Sequence, residues 1–166
     1  MAIQDILTIT LWGNNLVQYA LFLGVLIAAL VGTKIVYFLF SKVFHALAKK
    51  TASDLDDKIV AALERPIIFA VFIGGLRYGR DLLTLSQQAI GIYNKVLGAL
   101  VIINIAWLVA RVLDAIIAHF VAPLTKKSTS KVDDTIYPVL KRLVNFLVYV
   151  IAIVIIIQNM GYQVTG

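Results

Sequence analysis

Long apolar runs, broken by a few short clusters of charge, set the layout of this chain. No charged side chain occurs from Ile6 to Thr33, and the apolar part of that region, from about Leu16 to Phe40, is long enough for a first bilayer-crossing helix at ~20 residues per span. Lys34 then has to snorkel toward a headgroup layer. The second run has a charge-free core only from Pro66 to Leu76, too short to cross alone. A helix over about residues 59–83 reaches spanning length if Glu64 and Arg65 lie at one headgroup layer while Arg77, Arg80 and Asp81 approach the other. A third helix is expected over about 92–120, and a fourth over about 136–160, plainest from Leu143 to Met160, with Gly161 as its C′ stop. The pattern predicts an all-α polytopic membrane protein of four transmembrane helices, arranged as two tandem helical hairpins over 1–88 and 89–166.

Composition agrees. Hydrophobic residues make up 61% of the 166 and charged residues 14%, with a mean hydropathy of +0.92. So few charges cannot cover a soluble core, so lipid must be the solvent and the charges must mark loops. The net charge of +6 sits beside apolar helices rather than on a polar face. That arrangement points to anionic lipid headgroups as partners, and not to nucleic acid. The absence of cysteine excludes disulfides and thiolate metal sites. No Lys or Arg precedes Lys34, so the basic region of a cleavable leader is missing and the first apolar segment is expected to be retained.

Loop charge gives an orientation. Lys42 to Arg65 holds five Lys or Arg and Arg111 to Arg142 holds six, whereas the opposite side holds only Arg77, Arg80 and Lys95. By the positive-inside rule both basic loops face the cytoplasm and both termini face outward. Trp12, Tyr78, Tyr93 and Tyr162 then fall near the outer interface, where an aromatic belt is expected.

The chain also repeats itself at an offset of 77 residues. Lys49-Lys50-Thr51-Ala52-Ser53-Asp54-Leu55-Asp56-Asp57-Lys58-Ile59 aligns without gaps on Lys126-Lys127-Ser128-Thr129-Ser130-Lys131-Val132-Asp133-Asp134-Thr135-Ile136, and eight of eighteen positions from Lys49 to Pro66 are identical. In each copy Ser-x-x-Asp is a helix-start signal, the acid pair complements the positive helix end, and the Lys pair complements the negative end of the preceding helix. Those lysines, with Arg65 and Arg142, lie where phospholipid phosphates are expected.

Lys-Lys-x-x-Ser-x-x-Asp-Asp leading into an apolar helix, followed by the tail Ile157-Gln158-Asn159-Met160-Gly161-Tyr162-Gln163-Val164-Thr165-Gly166, resembles the membrane region just before the pore helix in the small-conductance mechanosensitive channel family. The layout match covers most of the chain, and the motif match about Lys126 through Gly166. The resemblance implies the N-terminal transmembrane part of a channel whose pore helix and cytoplasmic domain lie beyond Gly166. It also implies a homo-oligomer, a heptamer in that family, in the inner membrane, serving ion transport in the osmotic stress response. Five spans in total would carry the chain from outside to inside, in agreement with the charge count.

Several side chains invite sharper readings, each set against a plainer one. Asp56-Asp57 and Asp133-Asp134 offer carboxylates but no third convergent ligand, so helix capping is favoured over a metal. His45 and His119 lack a partner motif and read as interfacial packing. Arg111 and Asp114, three apart, read as a local ion pair rather than a relay. Gly24, Ala28 and Gly32 form a small-residue stripe for helix packing or lipid contact. Pro66, Pro138 and Gly161 are possible hinges, and Gly74, Gly75 and Gly79 could loosen the second helix. No catalytic constellation or cofactor motif is present, so an enzyme is not expected. The leading expectation is a peripheral tension-sensing region coupled to a pore helix after residue 166. The alternatives are a small repeat-built transporter, for which Asn104, Trp107 and Arg77 are the few distinctive midplane side chains, and an accessory membrane subunit.

Overall fold

The computed structural model describes residues 10–48, 54–121 and 133–163. Among the described residues four helices carry the fold: α1 (Leu16–Ala48), α2 (Asp54–Gly79), α3 (Gln87–Phe120) and α4 (Asp133–Asn159). Each contains a window long and apolar enough to cross a membrane. The protein is therefore an all-α polytopic membrane protein, with a minor β-hairpin, β1 (Thr10–Leu11) and β2 (Asn14–Asn15), ahead of α1. Helices are the expected solution, since lipid offers no partners for backbone N–H and C=O groups and a helix satisfies nearly all of its own.

The helix ends explain where the structure departs from the sequence reading. α3 starts at Gln87, a turn earlier than the apolar pattern suggests, because the Ser86 hydroxyl accepts from the Ala89 amide at 3.2 Å and caps it. α2 yields at Gly79 to a 3₁₀ turn, Arg80–Leu82. α1 opens with a capping box, in which Gln18 N donates to Asn15 Oδ1 at 2.8 Å while Asn15 N donates to Gln18 Oε1 at 2.9 Å. α4 stops at Gly161, whose φ of 97° is left-handed; Gly161 N donates to Gln158 O at 2.9 Å and Tyr162 N to Ile157 O at 3.2 Å, a Schellman pair. Lys95 of α3 adds a bond from Nζ to Met160 O at 2.9 Å, placing a cation on the negative end of α4. Pro66 and Pro138 both lie inside unbroken helices.

The helices form a row. Each packs on its sequence neighbour, α1 on α2, α2 on α3 and α3 on α4, with α2–α3 more extensive than α3–α4. α1 and α4 share no comparable interface, so the row does not close into a four-helix bundle. Its seams are lined by small residues: Ala62, Ala106, Ala110, Ala115 and Ala152 are buried, whereas Leu23, Ile27, Phe38, Phe146 and Ile151 are exposed. This exposure is incompatible with water as solvent and natural in lipid, where association depends on close packing rather than on hiding apolar surface.

Candidate functional site along the α3–α4 seam and the lipid-facing surface

Where α3 and α4 meet at the basic end of the row, Asp114 receives two donors from α4. Lys141 Nζ lies 3.3 Å from Oδ2, and Asn145 Nδ2 donates to Oδ1 at 3.0 Å. Lys141 and Asn145 are four apart and so share one helix face. The local Arg111–Asp114 pair expected from the sequence is replaced by this interhelical one, and Arg111 Nε is buried without a hydrogen-bond partner. A cavity of about 280 Å³ opens here between α2, α3 and α4, lined by Lys58, Arg111, Asp114, Tyr137 and Lys141 among others. Three cations against one carboxylate leave it net positive, suited to an anionic group.

Farther along the same seam the lining turns apolar. Ile102, Ala106, Val109, Val148, Ala152 and Ile155 border a groove of about 310 Å³ with almost no polar surface. Alanine at 106 and 152 is what hollows it out, and its chemistry matches a hydrocarbon chain or an apolar helix face. At the hairpin end polar side chains join the lining again, with Arg77, Asn94, Gln158 and Asn159 beside Leu97, Val101 and Ile155 around an open recess. There the Asn159 carboxamide lies directly against Gly98, where no Cβ interferes.

The side chains singled out in the sequence separate into several environments. Lys49, Lys50, Lys126 and Lys127, with Ser53 and Ser130, the serines expected to cap, lie outside the described residues. The acid pairs fall at the start of α2 and at the start of the described part of α4. Arg65 and Arg142 are exposed; Arg65 borders a cavity of about 400 Å³ with Leu30, Thr33, Phe69 and Trp107. Trp107 packs edge-on against Phe69 across the α2–α3 seam, and His119 packs edge-on against Phe120. Arg77 belongs to the hairpin end, 3.4 Å from Asp81. Asn104 is buried with its Oδ1 unpaired. Among the described residues no three potential metal ligands converge.

The small-residue stripe of α1 faces two ways. Gly24 meets open space and Ala28 is exposed, whereas a Cβ on Gly32 would contact Val71 at 3.7 Å. Among the glycines, the tightest fits between α1 and α2 are made instead by Gly75 against Ala29 and by Gly79 against the Phe22 ring. These glycines are contact points, not points of looseness. Their spacing, Gly75-Leu76-Arg77-Tyr78-Gly79, is the Gly-x-x-x-Gly signal for close helix pairing.

Nearly the whole length of this row aligns with proteins of established naming. The chain is 27% identical over 165 residues to the large-conductance mechanosensitive channel MscMJLR of Methanocaldococcus jannaschii, covering 99% of this chain and 46% of that one. It is 23% identical over 156 residues to the small-conductance mechanosensitive channel MscMJ of the same organism, covering 94% of this chain and 45% of that one. Its relatives are mechanosensitive channels. The chain thus spans a little under half the length of the mechanosensitive channels it matches, and these relatives are channels rather than enzymes. No family model matches the sequence, and no solved structure matches the fold.

Proposed function

We propose that these four helices are the peripheral tension-sensing region of a mechanosensitive channel, coupling membrane tension to a pore helix that would follow Gly166. The observation that carries this reading is the near end-to-end alignment on two mechanosensitive channels of which the chain covers less than half. The open row supports it physically. Helices that pack only on their neighbours can tilt or splay at modest cost, and tension favours whichever state occupies more membrane area. No ligand chemistry is needed.

The finer parts of the reading follow. The basic end, with Lys49, Lys50, Lys126, Lys127, Arg65 and Arg142, contacts phosphate headgroups on the cytoplasmic side of a cell membrane, and both ends of the segment lie on the other side. Gly24 and Ala28 face lipid, Pro66, Pro138 and Gly161 permit bending, and the hairpins 1–88 and 89–166 act as two copies of one unit. The channel is a homo-oligomer, a heptamer by family resemblance. Patches containing the full reading frame that carries this segment should pass current that rises steeply with applied suction; patches that burst without such current would overturn the reading. For the threading, an impermeant amine reagent applied to intact cells should leave Lys49 and Lys126 unmodified until the membrane is permeabilised, and labelling from outside would reverse it.

A further inference from the structure

Ahead of α1, Leu11-Trp12-Gly13-Asn14 forms the turn of the small hairpin, with φ of 50° at Trp12 and 83° at Gly13. Positive φ at both central residues is the type I′ geometry that joins two strands tightly, but its first position normally holds Asn, Asp or Gly. A bulky side chain there is strained. Trp12 is nonetheless held in this conformation, and it is 96% exposed.

The turn is fixed from several sides. Asn14, only 1% exposed, pairs through its carboxamide with the backbone of Thr84, accepting from N at 2.6 Å and donating to O at 3.0 Å. The same Nδ2 reaches Trp12 O at 3.3 Å. Tyr19 Oη donates to Leu11 O at 2.9 Å, and Gln18 Nε2 to Thr84 Oγ1 at 3.2 Å. The hairpin is thereby locked both to the first turn of α1 and to the α2–α3 link, 70 residues away. None of these bonds uses the indole. A strained backbone held by so many contacts, presenting a ring that none of those bonds uses, points to a partner beyond the described residues.

Position identifies that partner. The alternating row brings the start of α1, the end of α2 and the end of α4 to one level, where Tyr78 and Tyr162 are also exposed, each at 68%. An indole combines a large apolar body with one N–H donor, the chemistry of the boundary between hydrocarbon and headgroups. We propose that the Thr10–Asn15 hairpin is a rigid tryptophan anchor that, clamped to Thr84 through Asn14, seats the Trp12 indole in the glycerol and carbonyl layer of the bilayer. The clamp makes α1 and the α2–α3 link share one depth. This rests on the membrane-spanning fold alone and is independent of the channel reading.

The chain has two tryptophans, so Trp107→Phe leaves Trp12 as the sole indole emitter. In phosphatidylcholine vesicles its emission should be blue-shifted, and quenched several-fold more by lipids brominated near the carbonyls than by lipids brominated near the chain ends or by aqueous iodide. Adding Asn14→Ala should raise iodide quenching at least twofold and blur the depth preference. Iodide quenching equal to that of free tryptophan would place the ring in water and overturn the anchor. Emission shielded from both quenchers, changing on dilution of protein in lipid, would assign the ring to a second copy and overturn it equally. An unchanged depth in the Asn14→Ala background would remove the clamp.

Discussion

Replacing Gly75 with alanine is expected to open the α1–α2 seam and destabilise the row by about 1–3 kcal/mol, the usual cost of forcing atoms into a packed interface. The new methyl would overlap the Cβ of Ala29, which is attached directly to the α1 backbone and cannot rotate away, so the helices themselves must separate. This cost is opposed by a gain in helix propensity of about 1 kcal/mol for any Gly→Ala change in a helix interior. Three other glycines calibrate the result. Gly24 and Gly74 have nothing within reach of an added Cβ, so their alanine variants should be neutral or slightly stabilised. Gly98→Ala would meet only the end of the Asn159 side chain, which can swing clear, so a small loss is expected. Unfolding from bicelles by titration with SDS gives all four on one scale. If Gly75→Ala unfolds with Gly24→Ala rather than well before it, the seam is not where the geometry puts it.

Gly75 also shows what was legible in the sequence and what was not. Spans, helix count and layout follow from where charge is absent, because the penalty for a charge at mid-bilayer is large enough to dominate every local preference. Stop signals that depend on a single backbone conformation were equally readable, as at Gly161. Which face of a helix meets its neighbour is a weaker signal in lipid, since apolar residues surround the helix on all sides. Gly24-Ala28-Gly32 and Gly75-x-x-x-Gly79 are both small-residue spacings, and only contact with a particular partner, Ala29 and Phe22, separates them. The Asn15–Gln18 capping box could have been found from spacing alone. By contrast, the pairing of Asn14 with Thr84 depends on where α2 returns the chain, and no local pattern encodes it.

The same limit displaced Asp114 from its expected partner, and the seam it belongs to should respond strongly to its loss. Asp114→Ala removes the acceptor for Asn145, whose Oδ1 is already buried and unpaired, leaving an entire carboxamide unsatisfied. A stranded buried polar group costs about 1–3 kcal/mol, so a loss of that order is expected. Lys141 is different: its side chain is 41% exposed, so solvent screens the pair, and Lys141→Met should cost at most about 1 kcal/mol. Removing Asn145 with alanine discards the unpaired oxygen together with the donor, so the Asp114→Ala, Asn145→Ala double variant should be less destabilised than the sum of the single variants. A double-mutant cycle in the same SDS titration should therefore give a larger coupling for Asp114 with Asn145 than for Asp114 with Lys141. The reverse order would mean that charge, not the buried hydrogen bond, holds α4 against α3. Separation of these helices would then depend on ionic strength, whereas a hydrogen-bonded seam should be nearly insensitive to salt.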